Sequence, residues 1–210
     1  MFTADQVWAL AVIADRINGG YLKDFVLKRP NNLDVVEKQP NKVMVKQWLR
    51  DGAFAQITDA DIEQGRVVRH YFNGFILKEL SGRINDFERT ALRIAQKEQF
   101  TTRDLLDFAV VSCLPSTMIR DQQRKEITRD IMGSTQLAGA VGDRIQGELE
   151  VVSSRYSKEY NKYRITGRMG ESYVDFWFTK DLTGSVGIKG RIKALRGDKT
   201  TQLNFVKTTT

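Results

Sequence analysis

The stretch Val186-Gly187-Ile188-Lys189-Gly190-Arg191-Ile192-Lys193-Ala194-Leu195 decides how the last third of this chain folds. Val186, Ile188, Gly190, Ile192 and Ala194 alternate with Lys189, Arg191 and Lys193. A period of two puts the first set on one face of a β-strand and the three cations on the other. Four neighbouring segments obey the same rule. In residues 144–152, Ile145, Gly147, Leu149 and Val151 alternate with Gln146, Glu148 and Glu150. In residues 160–168, Tyr163 and Ile165 oppose Arg164, Thr166 and Arg168. Residues 172–179 are aromatic, with Tyr173, Phe176, Trp177 and Phe178. Residues 201–207 turn Leu203 and Phe205 inward. Gly167, Met169-Gly170 and Gly197-Asp198 supply turns. Five short strands suit a small closed barrel, because closure removes the exposed edges of an open sheet.

Upstream the period is helical. Val7, Leu10, Ala11, Ala14 and Ile17 mark a helix over residues 4–18, capped by Thr3 and stopped at Asn18-Gly19-Gly20. Lys28-Arg29-Pro30-Asn31-Asn32 is turn chemistry, and residues 42–50 suit a short helix. A helix from Thr58 carries Val67, Val68, Tyr71, Phe72, Phe75, Ile76 and Leu80 on a wide apolar face, broken at Ser81-Gly82. Further helices start at Asn85 and after Thr101-Thr102-Arg103-Asp104. The uncharged stretch from Gly133 to Gly142 reads as a linker. The expected organisation is therefore α+β. A helical domain over residues 1–132 is followed by a linker over 133–141 and a five-stranded OB-like β-barrel over 142–208.

Composition narrows function. The chain has 210 residues, one cysteine (Cys113) and one histidine (His70), too few for a disulfide or a Cys/His zinc site. Neither a glycine-rich phosphate loop nor Gly-x-Ser-x-Gly occurs, so the expectation is a non-enzyme without metal or cofactor. Asp59, Asp61 and Glu63 lack the offsets of a calcium loop and read as a charged helix start. No run is apolar enough to span a membrane and no signal peptide opens the chain, so no membrane partner and a cytoplasmic location are expected, the host cytoplasm if the protein is viral. Net charge is +7. Residues 141–210 hold 13 basic and 8 acidic side chains, which concentrates the positive charge in the barrel.

The segments Phe176-Trp177-Phe178-Thr179, Ile188-Lys189-Gly190-Arg191-Ile192-Lys193 and Thr201-Gln202-Leu203-Asn204-Phe205-Val206-Lys207 resemble the closing strands of OB-fold domains appended to phage and plasmid replication proteins. The resemblance covers residues 142–208. It departs from many OB-folds between strands three and four, where Lys180 to Gly184 leave room only for a turn. It implies an accessory role in DNA replication or recombination, with single-stranded DNA and a replication or recombination protein as partners. Ligands of such barrels lie on strands two and three, between the first-second and fourth-fifth loops. Here those loops hold Arg155, Tyr156 and Lys158, and Arg196 and Lys199. Arg164, Arg168 and Trp177 occupy the intervening face. Cations follow phosphates while rings stack on bases, which is what single-strand binding requires. Lys189, Arg191 and Lys193 join this set or are simply the solvated side of an amphipathic strand.

Two alternatives stand beside it. One is a protein-interaction or virion-assembly module that binds no nucleic acid. The other is a duplex-binding regulator with a helix-turn-helix over residues 103–127. Ala109, Cys113 and Ile119 sit at that motif's small, turn and core positions, with Pro115 in the second helix's first turn. Ser116, Thr117, Arg120, Gln123 and Arg124 would then face a DNA groove. The same two helices also suit a plain helical bundle.

Overall fold

The computed structural model describes residues 1–28, 35–52, 54, 56–137 and 139–209. The fold is α+β, with an N-terminal helical region and a closed five-stranded OB-like barrel. The chain divides into two compact units, Met1–Gln122 and Gln123–Thr210. The division thus falls inside a long helix rather than at the composition change near residue 132.

The first unit contains β1 (Phe2–Thr3), α1 (Ala4–Asn18), β2 (Val26–Lys28), β3 (Val35–Lys38), α2 (Asn41–Asp51), α3 (Asp59–Asn73), α4 (Ile76–Leu80), α5 (Asp86–Ala95), β4 (Gln99–Phe100) and α6 (Leu105–Val111). It also holds the first part of α7 (Leu114–Gly133). α1 is its axis. Val7, Trp8, Leu10, Ala11, Ile13 and Ala14 are all buried, and the helix packs against α2, α3 and α6. Its start is a capping box: Thr3 N donates to Gln6 Oε1 (2.9 Å) and Gln6 N to Thr3 Oγ1 (3.2 Å). Thr58 with Asp61, and Asn85 with Glu88, repeat the device on α3 and α5.

α1 and α3 approach closely at Gly65, where a Cβ would stand 2.9 Å from the Ala9 nitrogen. The helix expected to run from Thr58 to Leu80 is interrupted at Gly74-Phe75. The buried stripe is therefore Val68, Phe72 and Phe75, while Val67, Ile76 and Leu80 lie exposed. Helical geometry cannot aim all seven apolar residues at one core. The short hairpin β2–β3 had no sequence signal beyond its turn, and residues 29–32 of that turn lie outside the described residues. Among the described residues no helix is long and apolar enough to cross a membrane.

The second unit holds the barrel strands β5 (Arg144–Ser157), β6 (Lys162–Met169), β7 (Ser172–Phe178), β8 (Ser185–Leu195) and β9 (Thr201–Thr209). Their order around the barrel is β5-β6-β7-β9-β8, with β8 closing on β5. β7 and β9 run parallel and the other neighbours antiparallel. Leu149, Ile165, Val174, Phe176, Ile188, Ile192 and Leu203 form the core. The stretch read as a linker is folded onto the barrel. Leu137 packs against the core, Thr135 N donates to Glu171 O (3.3 Å) and Gln136 Nε2 donates to Arg196 O (3.2 Å).

Bulges re-aim two residues. In β8, Ile192 faces Leu203 and Ala194 faces Gln202, so Lys193 has no partner in register. In β9, Lys207 faces Lys189 and Asn204 faces Arg191, so Phe205 and Val206 both oppose Gly190. A Cβ on Gly190 would meet Val206 Cγ2 at 3.1 Å, which explains the glycine there. Phe205 takes a left-handed backbone (φ 51°) and is 77% exposed, while Val206 packs against the core in its place. The inward Phe205 expected from simple alternation is thus corrected by one extra residue in the strand.

Two outcomes follow for stability. Gly65→Ala should destabilise the helical unit by about 1–3 kcal/mol through overpacking, read by urea unfolding of the buried Trp8. Phe205→Gly should raise barrel stability by about 1 kcal/mol, since the left-handed conformation costs an L-residue roughly that much. A lower urea midpoint for Phe205→Gly would show that the ring contributes packing after all.

Candidate nucleic-acid interface

The outward residues of β5, β6 and β7 form cross-strand rows. Arg155, Arg164 and Trp177 make the first, Ser153, Thr166 and Asp175 the second, and Glu150, Arg168 and Tyr173 the third. Trp177 is 37% exposed, and the ring of Tyr160 lies 4.9 Å from it at 43°. Two cations and two aromatic rings therefore share one end of the sheet. Tyr160 was not singled out from the sequence. The sequence reads it as the first residue of the second strand, but the structure places it in the 158–161 hairpin loop, where it is exposed.

Asp175 governs the charge of this face. It is 2% exposed, and its Oδ2 lies 3.3 Å from both Arg164 Nη2 and Arg196 Nη2. Its Oδ1 is buried without a hydrogen-bond partner. One carboxylate thus holds two guanidinium groups, that of Arg164 opposite Trp177 and that of Arg196, each with N–H groups to spare. Arg168 pairs with Glu150 at 3.0 Å across the surface, a contact of little net stability that a phosphate can replace. Burial, with the nearby Asp130 adding to it, pushes the Tyr173 phenol above its ordinary value, so it stays a neutral donor.

The remaining expected residues separate. Tyr156 has the opposite parity to Arg155. Its ring lies 5.2 Å from Tyr163 and its hydroxyl donates to Asn161 Oδ1 (2.5 Å), so it is not beside Trp177. Lys158 is exposed at the hairpin. Lys199 Nζ donates to Met132 O (2.6 Å), which ties it to the end of α7. Arg196-Gly197-Asp198 is a tight turn: Lys199 N donates to Arg196 O (3.1 Å), and hydrogen bonds from Thr200 hold the Asp198 carboxyl below its ordinary range. Lys189, Arg191 and Lys193 lie on β8, which pairs with β5 and β9 and does not adjoin the β6–β7 face.

The helix-turn-helix expectation is corrected. The residues that would open its reading helix, Leu114, Pro115, Ser116 and Met118, are buried. Ser116 Oγ donates to Asp15 Oδ1 (2.5 Å), Thr117 Oγ1 to Cys113 O (2.7 Å) and Arg120 Nε to Ser116 O (3.2 Å). Those side chains are committed to the core or to their own helix. Gln123 and Arg124 are exposed but belong to the other unit. Ile119, assigned to a core position, is 44% exposed. His70 is exposed on α3, and burial raises the Cys113 thiol above its ordinary value. Among the described residues no three His, Cys, Asp or Glu side chains gather as metal ligands. Asp61 caps α3 as expected of a charged helix start, and its second oxygen accepts from Arg16 Nη1 (2.5 Å).

A scan against protein-family models, a search of curated proteins and a search of solved structures each find no match.

The cations around Trp177 should concentrate anions there. Iodide should quench tryptophan fluorescence more strongly than caesium at low ionic strength, with the gap closing in Trp177→Phe and at high salt. Equal quenching by the two ions would mean that Asp175 and Glu150 neutralise the face.

Proposed function

We propose that the barrel binds single-stranded nucleic acid, with DNA as the preferred form, across β6 and β7. The protein would act as a non-enzymatic accessory factor in phage-type DNA replication or recombination. The observation that carries this reading is the row Arg155–Arg164–Trp177 with the Tyr160 ring tilted against the indole. Bases would stack on Trp177 and Tyr160 while Arg155, Arg164 and Arg196 meet the phosphates. Exchangeable carboxylate contacts at Arg164, Arg168 and Arg196 suit a ligand that must slide and leave. The same contacts make binding depend on salt. A cytoplasmic location follows from this role. The protein partner would dock on the helical unit, where Leu77, Leu80 and Leu106 stand in solvent. A duplex regulator is not favoured, since Ser116 is buried and Thr117 and Arg120 are engaged by their own helix.

Fluorescence polarisation with labelled oligothymidylate and duplex at two salt concentrations tests this reading. Single strands should bind more tightly, and Trp177→Ala should weaken binding roughly ten- to a hundredfold, the range of one lost base stack. Asp175→Asn should tighten binding and steepen its salt dependence by freeing two guanidinium groups. Unchanged affinity in Trp177→Ala, or a preference for duplex, overturns the reading.

A further inference from the structure

We infer that β5, β8 and β9 carry a second contact for the same polynucleotide, with Phe205 stacking on a base and Arg144, Lys189, Arg191 and Lys207 holding the adjacent phosphates. The inference rests on the single-strand reading above and extends it to another side of the barrel. Register brings these residues together. Arg144 stands opposite Arg191 on neighbouring strands, and Lys189 stands between Gln146 and Lys207. Like charges directly opposite one another destabilise a sheet. Elsewhere on the barrel Arg164, Arg168 and Arg196 are offset by Asp175 and Glu150. Here, among the described residues, none of the four cations has an ion pair or a side-chain hydrogen bond. The acids further along β5 are engaged elsewhere: Glu148 accepts from Ser185 Oγ (2.7 Å) and Glu150 pairs with Arg168.

Phe205 is the second observation. Its backbone is left-handed, where a glycine would sit without strain, and its ring is 77% exposed. Folding gains little from such a residue. The bulge opposite Gly190 turns the ring out beside the four cations, and together they line an open cleft of about 500 Å³. Strained positions of this kind cluster where a ligand is held. Lys189 and Arg191, two residues apart on one strand, stand roughly 6.6 Å from each other. An extended single strand advances by about one nucleotide over that span. A single aromatic platform between paired cations matches base and phosphate together, which an acidic polypeptide does not offer.

The full chain is titrated with short and long oligothymidylates over a range of salt, comparing wild type with Phe205→Gly, the double variant Lys189→Gln/Arg191→Gln, and Trp177→Ala. Phe205→Gly relieves backbone strain, so the fold survives it, and circular dichroism melting checks this. It should weaken the long oligonucleotide roughly tenfold with its salt slope unchanged, as loss of one stacked base predicts. The double variant should lower the salt slope by about 1.4, at ~0.7 per phosphate contact on a single strand. If both bind like wild type while Trp177→Ala is weakened, the second contact is refuted and the β6–β7 reading stands. If Phe205→Gly and the double variant are weakened while Trp177→Ala is not, the second contact stands and the β6–β7 reading falls. If wild type binds no oligonucleotide, both fall. If poly-glutamate displaces the strand as well as unlabelled oligothymidylate does, the cleft is a polyanion site and the inference fails.

Discussion

Closing five strands into one sheet leaves each of their residues only two directions. Seven apolar side chains from all five strands fill the interior, and what alternates with them must face outward. The parallel β7–β9 pair completes the ring between Val174-Asp175 and Thr201-Gln202. Everything ascribed to the barrel depends on this closure. It brings Arg155, Arg164 and Trp177 from β5, β6 and β7 into one row, and Arg144, Arg191 and Lys207 from β5, β8 and β9 onto a second surface.

Charge on those surfaces is managed in two different ways. On the first, Arg164, Arg168 and Arg196 have carboxylate partners, and the central one, Asp175, is shielded from water. A buried carboxylate shared by two guanidinium groups offsets part of their charge, so an external anion competes with it for their N–H groups. On β8 and β9 the cations face each other without acids. That arrangement is less favourable for the folded chain and more receptive to an external anion.

The helical unit follows a separate logic. α1 is buried along most of its length, and α3 comes close to it only because residue 65 has no side chain. The first turn of α7 completes this core, with Ser116 donating to Asp15. A helix whose opening turn is committed to packing cannot present that turn to a DNA groove. The short connection between α6 and α7 therefore belongs to helix-bundle architecture.

The α+β class, the five barrel strands and most of their inward residues were legible in the sequence, because a period of two is a local property of each strand. The same is true of the capping boxes at Thr3 and Thr58, which depend on residues three apart. The face around Trp177 was legible only as residue types. Arg164 and Trp177 were recognisable, but Tyr160 was not, since its place beside Trp177 depends on a hairpin meeting another strand. Phe205 shows the limit most clearly. Its alternation pointed inward, yet pairing with Gly190 on β8 admits one extra residue and turns the ring outward. Local pattern determined which segments are strands and helices. Only tertiary pairing decided which cations are offset, where the bulges fall and which rings reach solvent, because each of these is set by atoms far away in the chain.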